Sequence, residues 1–432
     1  MPLWLDSKSS NFTVTFSKLL SKKREFDQNI EKEVSTIIEK IQNYGDAALI
    51  EYTQKFDHLN LSPKTILVSE EEIDEGFNAC DQKTLKALDF AHKRITKFHQ
   101  QQIPENLTYV DDAGLTLGYQ WNPVDAAGLY VPGGTAAYPS SVLMNAIPAQ
   151  VAGVRRLVIV TPSPQGKLNP LVMAAIKLLG VKEVYRIGGA QAVAALAFGT
   201  ETISPVDKIV GPGNTYVASA KKQVFGKVGI DVIAGPSEIL IIADGANEPS
   251  WIAMDLLAQA EHDTLAQAIL ITDDSNFADH VANGIDAHLQ SLPRASIAEK
   301  SWVDHGAVII VDNLEEAAML ANQIAPEHLE IATEYPEKLV PHIKNAGAIF
   351  LGRYSPEAIG DYVAGPNHVL PTSGSAKFSS GLSTLDFMKR TSLISCGIDG
   401  LRNIGPSAMS LAQAEGLDAH ARSISIRLNL SD

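Results

Sequence analysis

From about Ala127 onward the chain alternates short β-branched or apolar runs with longer stretches of helical spacing. The runs are Leu157 to Val160, Val184 to Ile187, Lys208 to Val210, Ile230 to Ile233, Ile239 to Ala243, Ala268 to Thr272, Ala307 to Val311, Leu329 to Ala332 and Ala348 to Leu351. Helical intervals such as Leu171 to Leu179 and Asn214 to Phe225 lie between most of them. Apolar runs alternating with amphipathic stretches predict parallel sheet with crossover helices, because strands buried on both faces have no polar side to show. Two such α/β units in tandem, splitting near Gly235-Pro236, are the economical arrangement. Upstream, from Phe26 to about Phe98, the pattern is helical and charged. Glu31 to Ile41 places apolar residues at helical spacing, and Tyr44-Gly45-Asp46 breaks it from Ala47 to Phe56. The tail from about Ser383 shows no strand alternation. Its helical stretch, Ala408 to Ile426 interrupted at Gly416, predicts a small helical appendage.

A chain of 432 residues exceeds one ordinary core, so two to four domains are expected. Apolar content of 45% with 20% charged residues is that of a globular protein in water. The net charge of −15 argues against nucleic acid and against anionic membrane as partners. The start, Met-Pro-Leu-Trp-Leu-Asp-Ser-Lys, lacks a basic region followed by an apolar one, and no later run approaches membrane-spanning length. Cys80 and Cys396 alone make no disulfide framework, so a reducing, cytoplasmic location is expected. Cys396, in the apolar setting Leu-Ile-Ser-Cys-Gly, reads as a buried structural thiol.

Several segments carry candidate chemistry. Gln259 and His262, in Gln-Ala-Glu-His, stand three apart on a predicted helix, so an amide oxygen and an imidazole leave one face and converge. That is half of a divalent-metal site, although such a pair is as readily two solvated polar residues. Val131-Pro132-Gly133-Gly134, Ile187-Gly188-Gly189-Ala190 and Val210-Gly211-Pro212-Gly213-Asn214 are glycine-rich turns at strand ends or helix starts, where backbone amides favour an anion such as pyrophosphate. None completes the Gly-x-Gly-x-x-Gly fingerprint, so they read equally as tight turns. Pro326-Glu327-His328 sets a carboxylate beside an imidazole, with the proline suited to a first helical turn; the pair suits water activation and proton shuttling, or simply an exposed turn. Asp361 and His368 lie among turn formers in the Gly360 to His368 loop, where an aspartate often only caps. Glu415 and His420 sit in the helical tail, where a solvated face is the default.

Together these segments resemble the histidinol dehydrogenase family over essentially the whole chain. The likeness rests on Leu129-Tyr130-Val131-Pro132-Gly133-Gly134, Gly188-Gly189-Ala190-Gln191-Ala192, Val210 to Asn214, Asp231 to Glu238, Gln259 to His262, Pro326-Glu327-His328-Leu329-Glu330 and Gly360-Asp361-Tyr362, all in order. The resemblance implies two incomplete Rossmann-like domains with parallel sheets. Residues 27–129 with 239–381 form the first and 130–238 the second, with a helical N-terminal piece, 1–26, and a helical tail, 382–432. It implies a homodimer in which the tail reaches the partner's active site. It implies one zinc per subunit held by Gln259, His262, Asp361 and His420. NAD contacts fall to Tyr130, Gln191 and Asn214. L-histidinol contacts fall to Ser237, Glu415, His328 and the metal ligands.

The implied reaction takes L-histidinol to L-histidine with two NAD and one water, through an aldehyde, as the last two steps of histidine biosynthesis. His328 is the expected general base and Glu327 the group that activates water. A relative acting on another primary alcohol would differ where the amino acid portion is touched, at Glu415 and Ser237. A zinc hydrolase using Glu327 would instead work without NAD.

Overall fold

The computed structural model describes residues 1–21, 28–133, 138–233 and 235–430. Gly134 of the 129–134 loop, Ala234 of the 231–238 segment and residues 22–26 of the expected N-terminal piece lie outside the described residues.

Two parallel sheets organise the chain. One has the strand order Leu3–Asp6, Ala307–Ile310, Gln267–Thr272, Glu238–Ala243, His328–Ala332, Ala348–Leu351. The other has the order Glu183–Tyr185, Arg156–Val160, Ala126–Tyr130, Lys208–Val210, Gly229–Ile230. In each, the chain lays strands outward from a central one, then returns to that strand's other side. This is the doubly wound arrangement, with its switch point between Glu238–Ala243 and His328–Ala332 in one sheet and between Ala126–Tyr130 and Lys208–Val210 in the other. The predicted α/β class with parallel sheets is the one found. The central strands read as unbroken apolar runs because helices cover both faces; all six residues of Glu238–Ala243 and all five of Ala126–Tyr130 are buried.

The helical region after residue 28 forms Gln28–Asp57, Glu70–Asn78 and Gln82–Gln100. The first is kinked at Gly45 (φ 49°, ψ −128°), where the sequence pattern breaks. These helices pack on the crossover helices of the five-stranded sheet: Gln28–Asp57 on Gly189–Phe198 and Thr215–Val224, Glu70–Asn78 on Pro170–Leu179, Gln82–Gln100 on Pro139–Ala152. Their apolar stripes share two cores with that sheet. Residues 28–100 thus lie against the sheet of 126–230, whereas the expected grouping of 27–129 put them with the other one.

Both ends differ from expectation. Leu3–Asp6 is a strand, paired with Ala307–Ile310 at the sheet edge, ahead of the helix Phe12–Ser21. The tail opens with a nine-residue strand, Met388–Cys396, antiparallel to Leu115–Pro123, which also pairs with Leu107–Val110. This third sheet is absent from the hydrophobic pattern because its tail strand is almost wholly exposed, so nothing selects an apolar face. Cys396 is consequently exposed and not a buried thiol. The helices Ile398–Ala414 and Asp418–Ser425 follow, separated at Gly416 (φ 73°) as expected. No helix among the described residues is long and apolar enough to cross a membrane.

Candidate active site

The carboxyl edge of a doubly wound sheet at its switch point is the usual ligand crevice. In the six-stranded sheet that crevice is filled. Arg353 places Nη2 2.9 and 3.0 Å from the two Asp244 carboxylate oxygens. Asp244 also accepts from the Glu334 N–H, and Asn247 bridges the Asp244 and Ala332 carbonyls. Chemistry-bearing residues gather at the opposite, amino edge instead. Glu238 and His328 are the first residues of neighbouring strands. Helix Pro249–Ala260, as a crossover, returns the chain to that edge and delivers Gln259 in its last turn.

His262 stands just past the helix, beyond the C-cap Glu261, and not on it. The apolar run ends at Ala260, and the turn keeps the three-residue spacing through a hydrogen bond from the His262 N–H to the Gln259 carbonyl (3.2 Å). Pro326-Glu327-His328 likewise opens a strand and not a helix; Ala325 turns the chain with φ 53°. Asp361 belongs to a short helix, Glu357–Tyr362, where a loop was expected.

His328 is fixed by its backbone neighbour. Its Nδ1–H donates to the Glu238 carbonyl (2.9 Å), since a carbonyl only accepts, and this leaves the Nε2 lone pair facing Glu357 Oε1 at 3.6 Å. Burial lowers the imidazole pKa to about 4, against the opposing pull of Asp361, so the ring is neutral at neutral pH. Glu327 is buried beside it and accepts from the Glu238 N–H (2.9 Å). Burial pushes its carboxyl well above the ordinary range, and the charges of Glu238, Asp361 and Glu357 add to this. Glu357 is also buried, and burial followed by the Asp361 charge pushes it up to about 9.

Gln259, His262 and Asp361 are the expected metal ligands that the fold brings to this edge. His262 Nε2 lies 3.9 Å from Asp361 Oδ2. Gln259 is 1% exposed, and its Oε1 has no hydrogen-bond partner. An amide oxygen left without a partner in the interior is costly, and a cation is one group that would satisfy it. An amide oxygen, an imidazole and a carboxylate are a donor set that suits zinc. Adjacent to them, His328, Glu357 and Asp361 each offer a ligand atom within 4.8 Å of one another.

Glu415 and His420 are not in this cluster within the chain. Both are exposed, Glu415 as the C-cap of Ile398–Ala414 and His420 in Asp418–Ser425; these helices pack on one another, the first also on the Met388–Cys396 strand. Ser237 adjoins Glu238, its carbonyl accepting from the Gln267 N–H. Three groups escaped the sequence reading of the site. Glu357 precedes Asp361 by four residues, a helical spacing that would have flagged it. His368, noticed but assigned no role, donates from Nδ1 to the Asp361 carbonyl (3.0 Å) and pairs through Nε2 with Ser141 Oγ (3.2 Å). Ser141 lies on Pro139–Ala152, the helix after strand Ala126–Tyr130, so this contact joins the two sheets' working edges.

The five-stranded sheet keeps its switch-point edge for loops. Tyr130 ends the central strand, and its hydroxyl accepts from the Gly189 N–H (3.0 Å). Gln191 is buried on the following helix with Oε1 unpartnered. Asn214 is exposed and caps Thr215–Val224, accepting from the Tyr216 and Val217 N–H groups. Gly211 has φ 113°, and a Cβ there would run into the Tyr130 carbonyl oxygen. Lys221 anchors this turn from beneath. It is ion-paired with Asp231, both side chains 3% exposed or less, and donates to the Gly211 and Val232 carbonyls. Lys221→Met leaves the Asp231 carboxylate, which also accepts from the Gly211 N–H, buried without its cation. We therefore expect a loss of about 3–5 kcal/mol in urea unfolding, partly recovered when Asp231→Leu is added. A single variant as stable as the parent would remove the pair from the account.

Two switch-point sheets, one with open glycine turns and one gathering a fixed imidazole beside carboxylates and an unpartnered amide oxygen, define a protein of doubly wound α/β architecture. A family model described as histidinol dehydrogenase matches residues 20–428. Histidinol dehydrogenase of Rhodospirillum rubrum is 58% identical over 430 residues, covering 99% of each chain. That of Bradyrhizobium diazoefficiens is 59% identical over 431 residues, covering 100% of each. The crystal structure of histidinol dehydrogenase from Elizabethkingia anophelis superposes with a TM-score of 0.95 at 37% identity, over 99% of this chain and 98% of that one. The chain belongs to the histidinol dehydrogenase family.

Proposed function

We propose that this chain catalyses the NAD-dependent, four-electron oxidation of L-histidinol to L-histidine through histidinal, completing histidine biosynthesis. The observation that carries the reading is His328. Its Nδ1 is committed to a backbone carbonyl and its Nε2 lone pair faces the Asp361 cluster, with Glu327 next to it in sequence and space.

Gln259, His262 and Asp361 would hold zinc, with His420 of the partner subunit as the fourth ligand. The exposure of Glu415 and His420, away from this chain's own cluster, supports a homodimer with shared sites. Tyr130, Gln191 and Asn214 line the edge where NAD would lie. When bound, zinc supplies a template for the substrate's amino and imidazole nitrogens, and NAD the hydride acceptor.

The chain's own residues supply the proton chemistry. His328 Nε2 takes the hydroxyl proton as the first hydride leaves. Glu327 as a carboxylate takes a proton from the water that attacks the aldehyde. The hydrate then gives its second hydride with His328 again accepting the proton. Ser237 and the partner's Glu415 would bind the substrate, and a closed site keeps the reactive aldehyde from escaping.

His262→Asn is expected to lower the zinc content of the purified protein at least about tenfold at equal free metal, as loss of a metal-site group does. Unchanged zinc would remove His262 from the ligand set. For the activity itself, a chelator should abolish histidinol-dependent NAD reduction and zinc should restore it. Turnover of substrate without NAD would favour a hydrolase instead.

A further inference from the structure

Helix Gln82–Gln100 lies far in sequence from the catalytic segments and packs its buried Leu88, Ala91 and Ile95 toward Pro139–Ala152. Its last turns nevertheless hold the loop between Asp361 and His368 from outside. Arg94 Nε donates to the Val363 carbonyl (2.5 Å) and Nη2 to the Ala364 carbonyl (3.1 Å). These carbonyls end the short helix Glu357–Tyr362, where a cation opposes the helix dipole favourably. Gly365, with φ 118°, lets the loop approach so closely that a Cβ would sit 3.2 Å from Phe98 Cβ.

The third hold is His99, which is 0% exposed. Its Nδ1–H donates to Gln102 Oε1 (2.7 Å), leaving Nε2 to accept from Asn367 Nδ2 (3.4 Å). Asn367 donates from the same nitrogen to the Met144 carbonyl (2.6 Å) and accepts from the Val369 N–H (2.9 Å). It directly precedes His368, whose ring meets both Asp361 and Ser141. Thr384, at the root of the tail, binds the same helix end through the His99 carbonyl and Gln102 Oε1.

We infer that Arg94 and His99 are positioning residues of the catalytic centre, acting through the 363–367 backbone to set where Asp361 and His368 stand. The inference rests on the reading of Asp361 as a metal ligand. A carboxylate on a six-residue helix gains fixity from the closing turns of a nineteen-residue helix, which carry both Arg94 and His99. Groups that orient ligands from behind typically change metal affinity by about 10–100-fold when removed.

Arg94 is exposed, so Arg94→Ala should fold. Zinc affinity of the full-length protein is measured by competition with a chromogenic chelator, beside Arg94→Lys, His99→Leu, His99→Gln and Asp361→Asn. Arg94→Ala and His99→Leu should weaken zinc binding about 10–100-fold and lower kcat. Arg94→Lys and His99→Gln, which keep a donor or acceptor in place, should recover part of the loss. A fall in Tm with zinc affinity and kcat untouched would make these residues merely structural and overturn the inference. If Asp361→Asn loses zinc while Arg94→Ala keeps it, the inference alone fails. If Asp361→Asn also keeps zinc, the ligand reading fails and takes the inference with it.

Discussion

His328→Ala lowers kcat for histidinol oxidation by about 10²–10⁴-fold, the range set by loss of a positioned general base. The expectation follows from geometry. One ring nitrogen is spent on the Glu238 carbonyl, so removing the ring removes the Nε2 lone pair that faces Glu357. Its neutrality is already secured by burial, which lowers its pKa to about 4, so the base is ready at neutral pH. Both half-reactions should fall, since in both a hydroxyl proton must leave as the hydride departs the same carbon, while the KM for NAD stays near the parent value. Steady-state kinetics with histidinol and with histidinal as separate substrates decide this. A variant within threefold of the parent would remove His328 from the base role.

Glu327→Gln should separate the halves. Glutamine keeps the side-chain volume and an oxygen to accept the Glu238 N–H, so the local fold is retained. What is lost is the carboxylate that deprotonates water. Oxidation of histidinal to histidine should slow by about 10²-fold or more, with oxidation of histidinol to histidinal changed far less. Equal loss in both halves would mean that Glu327 organises the site and does not activate water.

These residues show how far the amino-acid sequence speaks. Strands such as Glu238–Ala243 and Gln267–Thr272 were legible because burial on both faces leaves an unbroken apolar run. Leu3–Asp6 and Met388–Cys396 were not, because exposed edge strands bear no such pattern. The chemistry-bearing segments announced themselves by residue type, but their roles came from resemblance to a family. Glu357 was not marked out, because the neighbouring Gly360 to His368 stretch reads as a loop; its burial beside Asp361 makes it part of the site. Ser141 and His368 meet across 227 residues, a pairing that no local spacing encodes. The sheets' division of labour was equally silent. The Asp244–Arg353 pair that fills one switch-point crevice involves two unremarkable surface-type residues far apart in sequence.

One site is expected to perform both oxidations with a metal in place. Metal-replete protein is incubated with L-histidinol and excess NAD, and NADH is counted against histidinol consumed, beside a chelator-stripped control. The account predicts two NADH per histidinol with histidine as product, lost on stripping and restored by zinc. One NADH per histidinol, with the aldehyde released, would contradict it.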